Sequence, residues 1–268
     1  MSFDAMTNIF TPFQGLLPFL SRPEPDKPIS GDLLDLENWG TNVAIHRRID
    51  MHPDLIQILD DALKGTPQPF SKMKPFMPGT NHYGAPDHPS PWNGTINGYK
   101  ICITEEILWL TLRDWYGWSV PCLETVRALK EHLGLTNLIE FGQGTGYFAS
   151  VLEASGISMI TSECFNQGYD GIGIWRKPDF NDSKQMFSQH PDQSVLLSWP
   201  DPRAEKLILD LLSPGQEIII TGDRDCCALP SKTLQKNGFT HIPEKSTKRS
   251  IASAIGELFD LEVWKAPE

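Results

Sequence analysis

The sequence predicts an α/β fold: a doubly wound, mostly parallel sheet of the seven-stranded type with an N-terminal helical and irregular cap. Three observations predict it. From Asn137 onward, short apolar runs alternate with segments of helical period, the pattern of parallel strands covered on both faces. The first run, Leu138-Ile139-Glu140-Phe141, breaks into Gly142-Gln143-Gly144-Thr145-Gly146-Tyr147, with glycine at alternate positions. The second, Ile157 to Thr161, ends at the acid Glu163.

The elements follow in order. Residues 1–100 read as the cap and 101–268 as the α/β domain. Proline is dense between Pro23 and Pro28 and between Pro67 and Pro91, which favours turns and extended loops. Trp39, Phe70, Phe76, Tyr83 and Trp92 argue that this region packs over a core. One helix stands out there, Pro53 to Lys64, with Leu55, Ile56, Ile58, Leu59 and Leu63 as its apolar stripe. Thr104 is a good N-cap for a helix carrying Ile107, Leu108, Leu110, Leu112 and Trp115, and Glu105 and Glu106 complement its dipole. Pro121 opens the next helix, Leu123, Val126, Leu129 and Leu133 give its period, and Gly134 ends it.

Strands are then expected at 137–141, 157–162, 194–198 and 216–221, and helices at about 146–154, 203–213 and 230–237. Extended runs at 239–244 and 259–265 close the chain. Between Glu163 and Val195 the pattern supports only a short strand, Ile172 to Trp175, and a helix, Asp182 to His190.

Composition narrows the functional classes. A chain of 268 residues with 40% hydrophobic content can bury a large core. The net charge of −11 disfavours a nucleic-acid partner, because phosphate neutralisation needs cationic surface. The late basic cluster, Lys245 to Arg249, reads as a solvated loop. The cysteines, Cys102, Cys122, Cys164, Cys226 and Cys227, are odd in number and lack C-x-x-C spacing, which suits a reducing compartment. Met1 to Leu20 lacks a cationic leader and carries Pro12 and Pro18. No apolar run reaches the roughly 18 residues that span a bilayer. The expectation is a soluble, cytoplasmic protein with no membrane partner. His82, Asp87 and His88 are too few for a zinc site, so no metal is expected.

The glycine loop carries the chemistry. A chain that leaves a strand and enters a helix at once needs positive φ or close backbone approach, and glycine supplies both. The helix behind it aims free N–H groups and its positive end at a ligand. A dinucleotide fingerprint needs its third glycine three residues after the second, where Tyr147 stands. A P-loop fails because no Gly-Lys-Ser/Thr follows, and no G-x-S-x-G elbow supports a serine hydrolase.

Ligands of doubly wound sheets bind outside the carboxyl ends of the strands. The groups expected to converge there are Gly142 to Gly146; Glu163 with Cys164; Ser198-Trp199-Pro200-Asp201-Pro202; and Gly222-Asp223-Arg224-Asp225. Asp201 reads either as a general base or as a helix cap, and Trp199 either as a substrate contact or as a lid aromatic.

The pattern E-x-G-x-G-x-G resembles the first motif of the class I S-adenosylmethionine-dependent methyltransferases, and Glu163 stands where those enzymes place the acid that binds ribose hydroxyls. The order Tyr116-x-Trp118-x-x-Pro121, glycine loop and Ser198-Trp199-Pro200 is similar to an uncharacterised methyltransferase-like group over residues 100–265. The resemblance implies a Rossmann-like methyltransferase fold and S-adenosyl-L-methionine as cofactor. It implies that Gly142, Gly144 and Gly146 admit the methionine half, Glu140 takes the ammonium, and Trp118 and Pro121 wall the sulfonium. Gln189 and His190 would reach the adenine. Amino-methyltransferases carry Asn/Asp/Ser-Pro-Pro-Tyr/Phe where this chain has Trp199-Pro200-Asp201-Pro202, so Ser198 serves only if the register slips by one. The expected catalytic set is Asp201, Trp199 and Asp223, acting on a small-molecule or protein acceptor. Two alternatives stand beside it: a methyltransferase-fold protein that binds adenosyl cofactor or a partner without transfer, and a Rossmann oxidoreductase.

Overall fold

The structure, a computed structural model, describes residues 52–78, 92–96, 99–103, 108, 112–113, 115–163, 175–223 and 227–268. The expected Thr104 cap, the Ile172 strand start and the His82, Asp87 and His88 group lie outside these residues.

The chain begins with α1 (Pro53–Ala62) and the short α2 (Phe70–Met73). His52 caps α1 through Nδ1, which accepts from the Asp54 N–H, and Pro53 sits at the first helical position, where its missing donor costs nothing. Strands β1 (Trp92–Ile96) and β2 (Tyr99–Ile103) pair antiparallel, with Ile96 opposite Tyr99. That register leaves Asn97-Gly98 between them, a dipeptide that favours two-residue hairpin turns. The sequence reading passed over this signal.

The α/β part runs β3 (Ser119–Val120), α3 (Leu123–Val126, continuing as a π-helical turn to His132), β4 (Asn137–Phe141), α4 (Tyr147–Ala154), β5 (Ser158–Ser162), α5 (Ser183–Gln189) and β6 (Val195–Ser198). It ends with α6 (Glu205–Leu211), β7 (Glu217–Thr221), α7 (Ser231–Lys236), β8 (Thr240–His241), β9 (Thr247–Ser253) and β10 (Leu258–Lys265). The sheet order is β3-β9-β10-β7-β6-β4-β5, with β8 on β10. Strands β5, β4, β6 and β7 are parallel, and β10 runs antiparallel to β7 and β9. The fold class is the expected α/β one, with the parallel strands grouped and an antiparallel edge added.

Alternation along the parallel strands feeds two cores. Leu138, Leu196 and Ile219 face α3 and α4, meeting Leu129, Phe148 and Leu152. Ile139, Phe141, Val195, Leu197, Ile218 and Ile220 face the other way, toward Phe187 of α5, Ile208 of α6 and Leu234 of α7. Burial on both faces is why these strands read as unbroken apolar runs.

A third core joins the N-terminal segment to the domain. Leu55, Leu59, Phe70 and Met73 pack with Trp115, Tyr116, Tyr147, Val151 and Ala252. Tyr147, fully buried, donates its hydroxyl to the Leu59 carbonyl at 2.8 Å. Trp175 stacks on Tyr116 and meets Tyr147 edge-on. Gly65, at φ 81°, lies so close to α4 that a Cβ would sit 2.4 Å from the Ala154 carbonyl oxygen.

Besides the β1–β2 hairpin and the short β3, one more strand departs from expectation. Residues 247–253 form β9, whereas Lys245 to Arg249 reads as a loop in the sequence. Its first half is polar and exposed or nearly so, its second half is small and buried, and Arg249 has φ 52°. Neither half has the β-branched alternation that marks a strand. Among the described residues, no helix is long and apolar enough to cross a membrane.

Candidate functional site

The chain leaves β4 for its neighbour β5 on one side and later returns to β6 on the other. The order reverses at β4, so a crevice opens beyond its carboxyl end. The loop that enters this crevice is Gly142 to Gly146. All three of its glycines are left-handed, at φ 72°, 58° and 72°. The Gly142 and Gln143 N–H groups donate to the Ser162 carbonyl at 2.9 and 3.0 Å, which ties the loop to the end of β5. The Gly144 N–H donates to Glu163 Oε2 at 2.8 Å. Gln143 spans from Thr161, whose hydroxyl donates to its Oε1, to the Arg176 carbonyl, which accepts from its Nε2.

The three glycines do different work. Among the described residues, a Cβ on Gly142 or Gly144 would meet nothing within 4 Å, so these two have room beside them there. A Cβ on Gly146 would stand 2.6 Å from the Arg176 carbonyl oxygen. The sequence assigns all three to ligand approach, whereas at Gly146 the close neighbour is the protein's own backbone.

Glu140 is the penultimate residue of β4, 1% exposed, and its Oε2 has no hydrogen-bond partner. Burial first, and then the like charge of Glu163, pushes its carboxyl up to about 8; Arg176 opposes the shift. Arg176 is held elsewhere, by Glu153 at 3.0 Å, Asp179 at 2.9 Å and Thr161 Oγ1 at 2.6 Å. Glu140 is therefore mainly protonated at neutral pH. A buried acid with an unmet oxygen, beside a loop with room at its backbone, suits a ligand that brings N–H donors and positive charge.

Beyond β6 and β7 the crevice has another character. Trp199 stacks on Trp118 at 5.0 Å and 15°, and Phe259 meets Trp199 edge-on at 5.2 Å. The Arg113 guanidinium lies 5.6 Å from the Trp118 ring centre, adding a cation–π contact. Trp199 has φ 49° and is held there by its N–H, which donates to the Thr221 carbonyl at 2.9 Å. Gly222, at φ 130°, leaves room for the indole, since a Cβ would lie 3.2 Å from the ring. Ser198 Oγ donates to Ser119 Oγ at 2.6 Å, and Pro121 is buried. Trp199 Nε1 and Thr221 Oγ1 are buried without a hydrogen-bond partner.

Of the acids on this side, Asp201 is engaged within its own turn. Asp201 accepts from the Arg203 N–H at 2.8 Å and pairs with its guanidinium, capping the turn Pro202–Ala204. Burial raises its pKa and the bonds from Arg203 outweigh that, so its carboxyl titrates below the ordinary value. The Asp223 carbonyl accepts from the Cys227 N–H at 2.9 Å. His190 and Gln189 precede β6 and so lie at its amino end, away from the crevice; His190 Nδ1 pairs with Gln193 at 3.3 Å. A residue just before a parallel strand is at the wrong edge to reach the adenine. The structure adds Gln143, Arg176, Ser119 and Phe259, which sequence reading missed. Gln143 had a signal, since it is the one long polar side chain inside the glycine loop.

No family model matches the chain, and no curated protein does. Solved structures of similar fold are methyltransferases. A putative O-methyltransferase from Klebsiella pneumoniae is 12% identical with a TM-score of 0.35, over 54% of this chain and 79% of that one. An N-methyltransferase from Bradyrhizobium japonicum WM9 is 13% identical with a TM-score of 0.34, over 54% and 94%. Magnesium protoporphyrin IX methyltransferase from Synechocystis PCC 6803, solved with bound cofactor, is 16% identical with a TM-score of 0.35, over 53% and 76%.

Proposed function

We propose that the chain is an S-adenosylmethionine-dependent methyltransferase acting on a small-molecule or protein acceptor. The observation that carries the reading is at the turn of the sheet, where two left-handed glycines with open room stand between a buried, unpaired Glu140 and Glu163. Glu140 would take the cofactor's ammonium, Glu163 its ribose hydroxyls, and the Gly142 and Gly144 backbone the methionine chain. The cofactor supplies a methyl already activated by its sulfonium. The protein's part is alignment: the glycine loop holds the donor, and the Trp118–Trp199–Phe259 column excludes water and fixes the acceptor's approach.

A second reading has its own support. Asp201 is bound within its own turn, and Trp199 fills the position of the polar residue that amino-methyltransferases use. Both suit a protein that binds the adenosyl cofactor without transferring the methyl. Calorimetric titration with S-adenosylmethionine, S-adenosylhomocysteine and NAD, followed by a methyl-transfer assay on cell extract, separates the readings. Adenosyl-cofactor binding with transfer supports the enzyme, binding without transfer supports the second reading, and NAD binding alone refutes both.

A further inference from the structure

We propose that a ligand whose ammonium enters the glycine-loop crevice displaces the proton of Glu140, so that the site releases one proton for each ammonium it admits. The proposal rests on the cofactor reading above and adds a charge rule to it.

The geometry is specific to this residue. Glu140 is on the last turn of pleat before the loop, 1% exposed, with Oε2 unpaired. Its partners in register are Thr161 on β5 and Leu196 on β6, neither of them charged. The charges that act on it are Glu163, at the end of β5, and Arg176. Glu163 is of like sign and accepts from the Gly144 N–H. Arg176 is of opposite sign, but Glu153 of α4 and Asp179 pair with it. On the far side Ser119, Ser198 and Thr221 are uncharged, and Arg113 lies over Trp118. Among the described residues no cation compensates Glu140 fully, and burial with Glu163 beside it pushes its carboxyl up to about 8.

In the free protein at pH 7 Glu140 is a neutral acid. An ammonium brought beside it supplies the missing counter-charge and N–H donors at once. Ionised Glu140 is then the favoured form, and its proton passes to the buffer. A neutral ligand gives no such compensation and leaves the proton in place. The pocket therefore discriminates by charge as well as by shape, and cation affinity rises with pH until Glu140 ionises unaided.

The test is calorimetric titration of the full chain at pH 7 in two buffers of different ionisation enthalpy. With S-adenosylmethionine the wild type should release about 0.9 proton, the fraction protonated one unit below the titration point. With adenosine, which has no ammonium, it should release none. Glu140→Gln should bind S-adenosylmethionine more weakly and release less by that same amount; the ligand's own titration is common to both proteins and cancels. Between pH 6 and 7.5 the wild-type affinity should rise by up to about tenfold per unit relative to the variant. Binding of S-adenosylmethionine with no proton released, or with equal release from wild type and Glu140→Gln, overturns the proposal and leaves the cofactor reading standing. Failure of S-adenosylmethionine to bind at all overturns both. If Glu140→Gln does not bind, the wild-type contrast between S-adenosylmethionine and adenosine still decides.

Discussion

The two halves of the crevice are built on opposite plans. Beyond β4 and β5, among the described residues, a Cβ on either of two glycines would meet nothing within 4 Å, and a buried acid has an oxygen without a hydrogen-bond partner. Beyond β6 and β7 the space is filled by Arg113, Trp118, Trp199 and Phe259 in one column, and Asp201 is fastened to Arg203. The first half offers backbone N–H groups and a buried carboxyl. The second is a rigid apolar wall. The difference teaches that, if the chain is the methyltransferase proposed, it specifies its donor side through backbone and charge and leaves its acceptor side to aromatic surface.

The sharpest way to break that contrast is at the glycines. Gly144→Val places a branched side chain in the open room at φ 58°. It should lower S-adenosylmethionine affinity by more than about a hundredfold, while backbone strain costs roughly 1–2 kcal/mol of stability. Calorimetry and circular dichroism read the two effects separately, and unchanged affinity rejects the site. Gly146→Ala should do the reverse. Its Cβ collides with the Arg176 backbone, so the variant should lose about 2–4 kcal/mol in urea unfolding, through overpacking and strain together. A Gly146→Ala protein of normal stability would show that the loop is free to shift.

Glu140 supplies the next test, through pH. Its folded-state titration near 8 lies above the ordinary carboxylate value of 4.5, so between these the native protein holds more protons than the unfolded chain. Stability from this group is therefore fully present below about pH 4.5 and is lost as pH rises through 8. Glu140→Gln removes the dependence. The difference in unfolding free energy from urea titration, variant minus wild type, should grow from pH 5 to pH 9 and amount to a few kcal/mol. A constant difference would mean that water reaches the carboxyl.

Legibility divides along the same line. The donor half was readable because its requirements are local. Positive φ at consecutive alternate positions demands glycine, and a strand ending in acid is visible in the string. The parallel strands were readable because both faces are buried, which leaves an apolar run. The acceptor half depends on contacts distant in sequence. Trp118 meets Trp199 across the sheet, and Phe259 arrives from β10. Strand β9 was missed because half of it is polar or small. The division of labour between Gly144 and Gly146 was equally invisible, since Gly146's neighbour is Arg176, thirty positions on.

Tyr147 shows a residue read one way in the sequence and used another way in the fold. In the sequence it excludes the dinucleotide fingerprint. In the structure it fixes the N-terminal segment to the domain through its hydroxyl, which donates to Leu59. Tyr147→Phe keeps the ring contacts with Tyr116 and Trp175 and loses that bond. It should cost about 1 kcal/mol in thermal or urea unfolding. Cofactor affinity should not change, because the ring faces the third core and not the loop.

The smallest expected effect is at Asp201, and it bears most directly on the acceptor half. The carboxylate caps its own turn and pairs with Arg203, whose guanidinium is exposed. Asn accepts from the same N–H, so Asp201→Asn should lose well under 1 kcal/mol. Because its pKa lies below the ordinary value, the small stability from ionised Asp201 is present above that ordinary value and lost as pH falls through the lowered one. If Asp201 is only a cap, Asp201→Asn leaves both cofactor affinity and methyl transfer unchanged. If instead transfer falls by about a hundredfold or more with affinity intact, the residue is the acceptor's base. The aromatic half would then contain a working acid whose partner, Arg203, must release it when the acceptor binds.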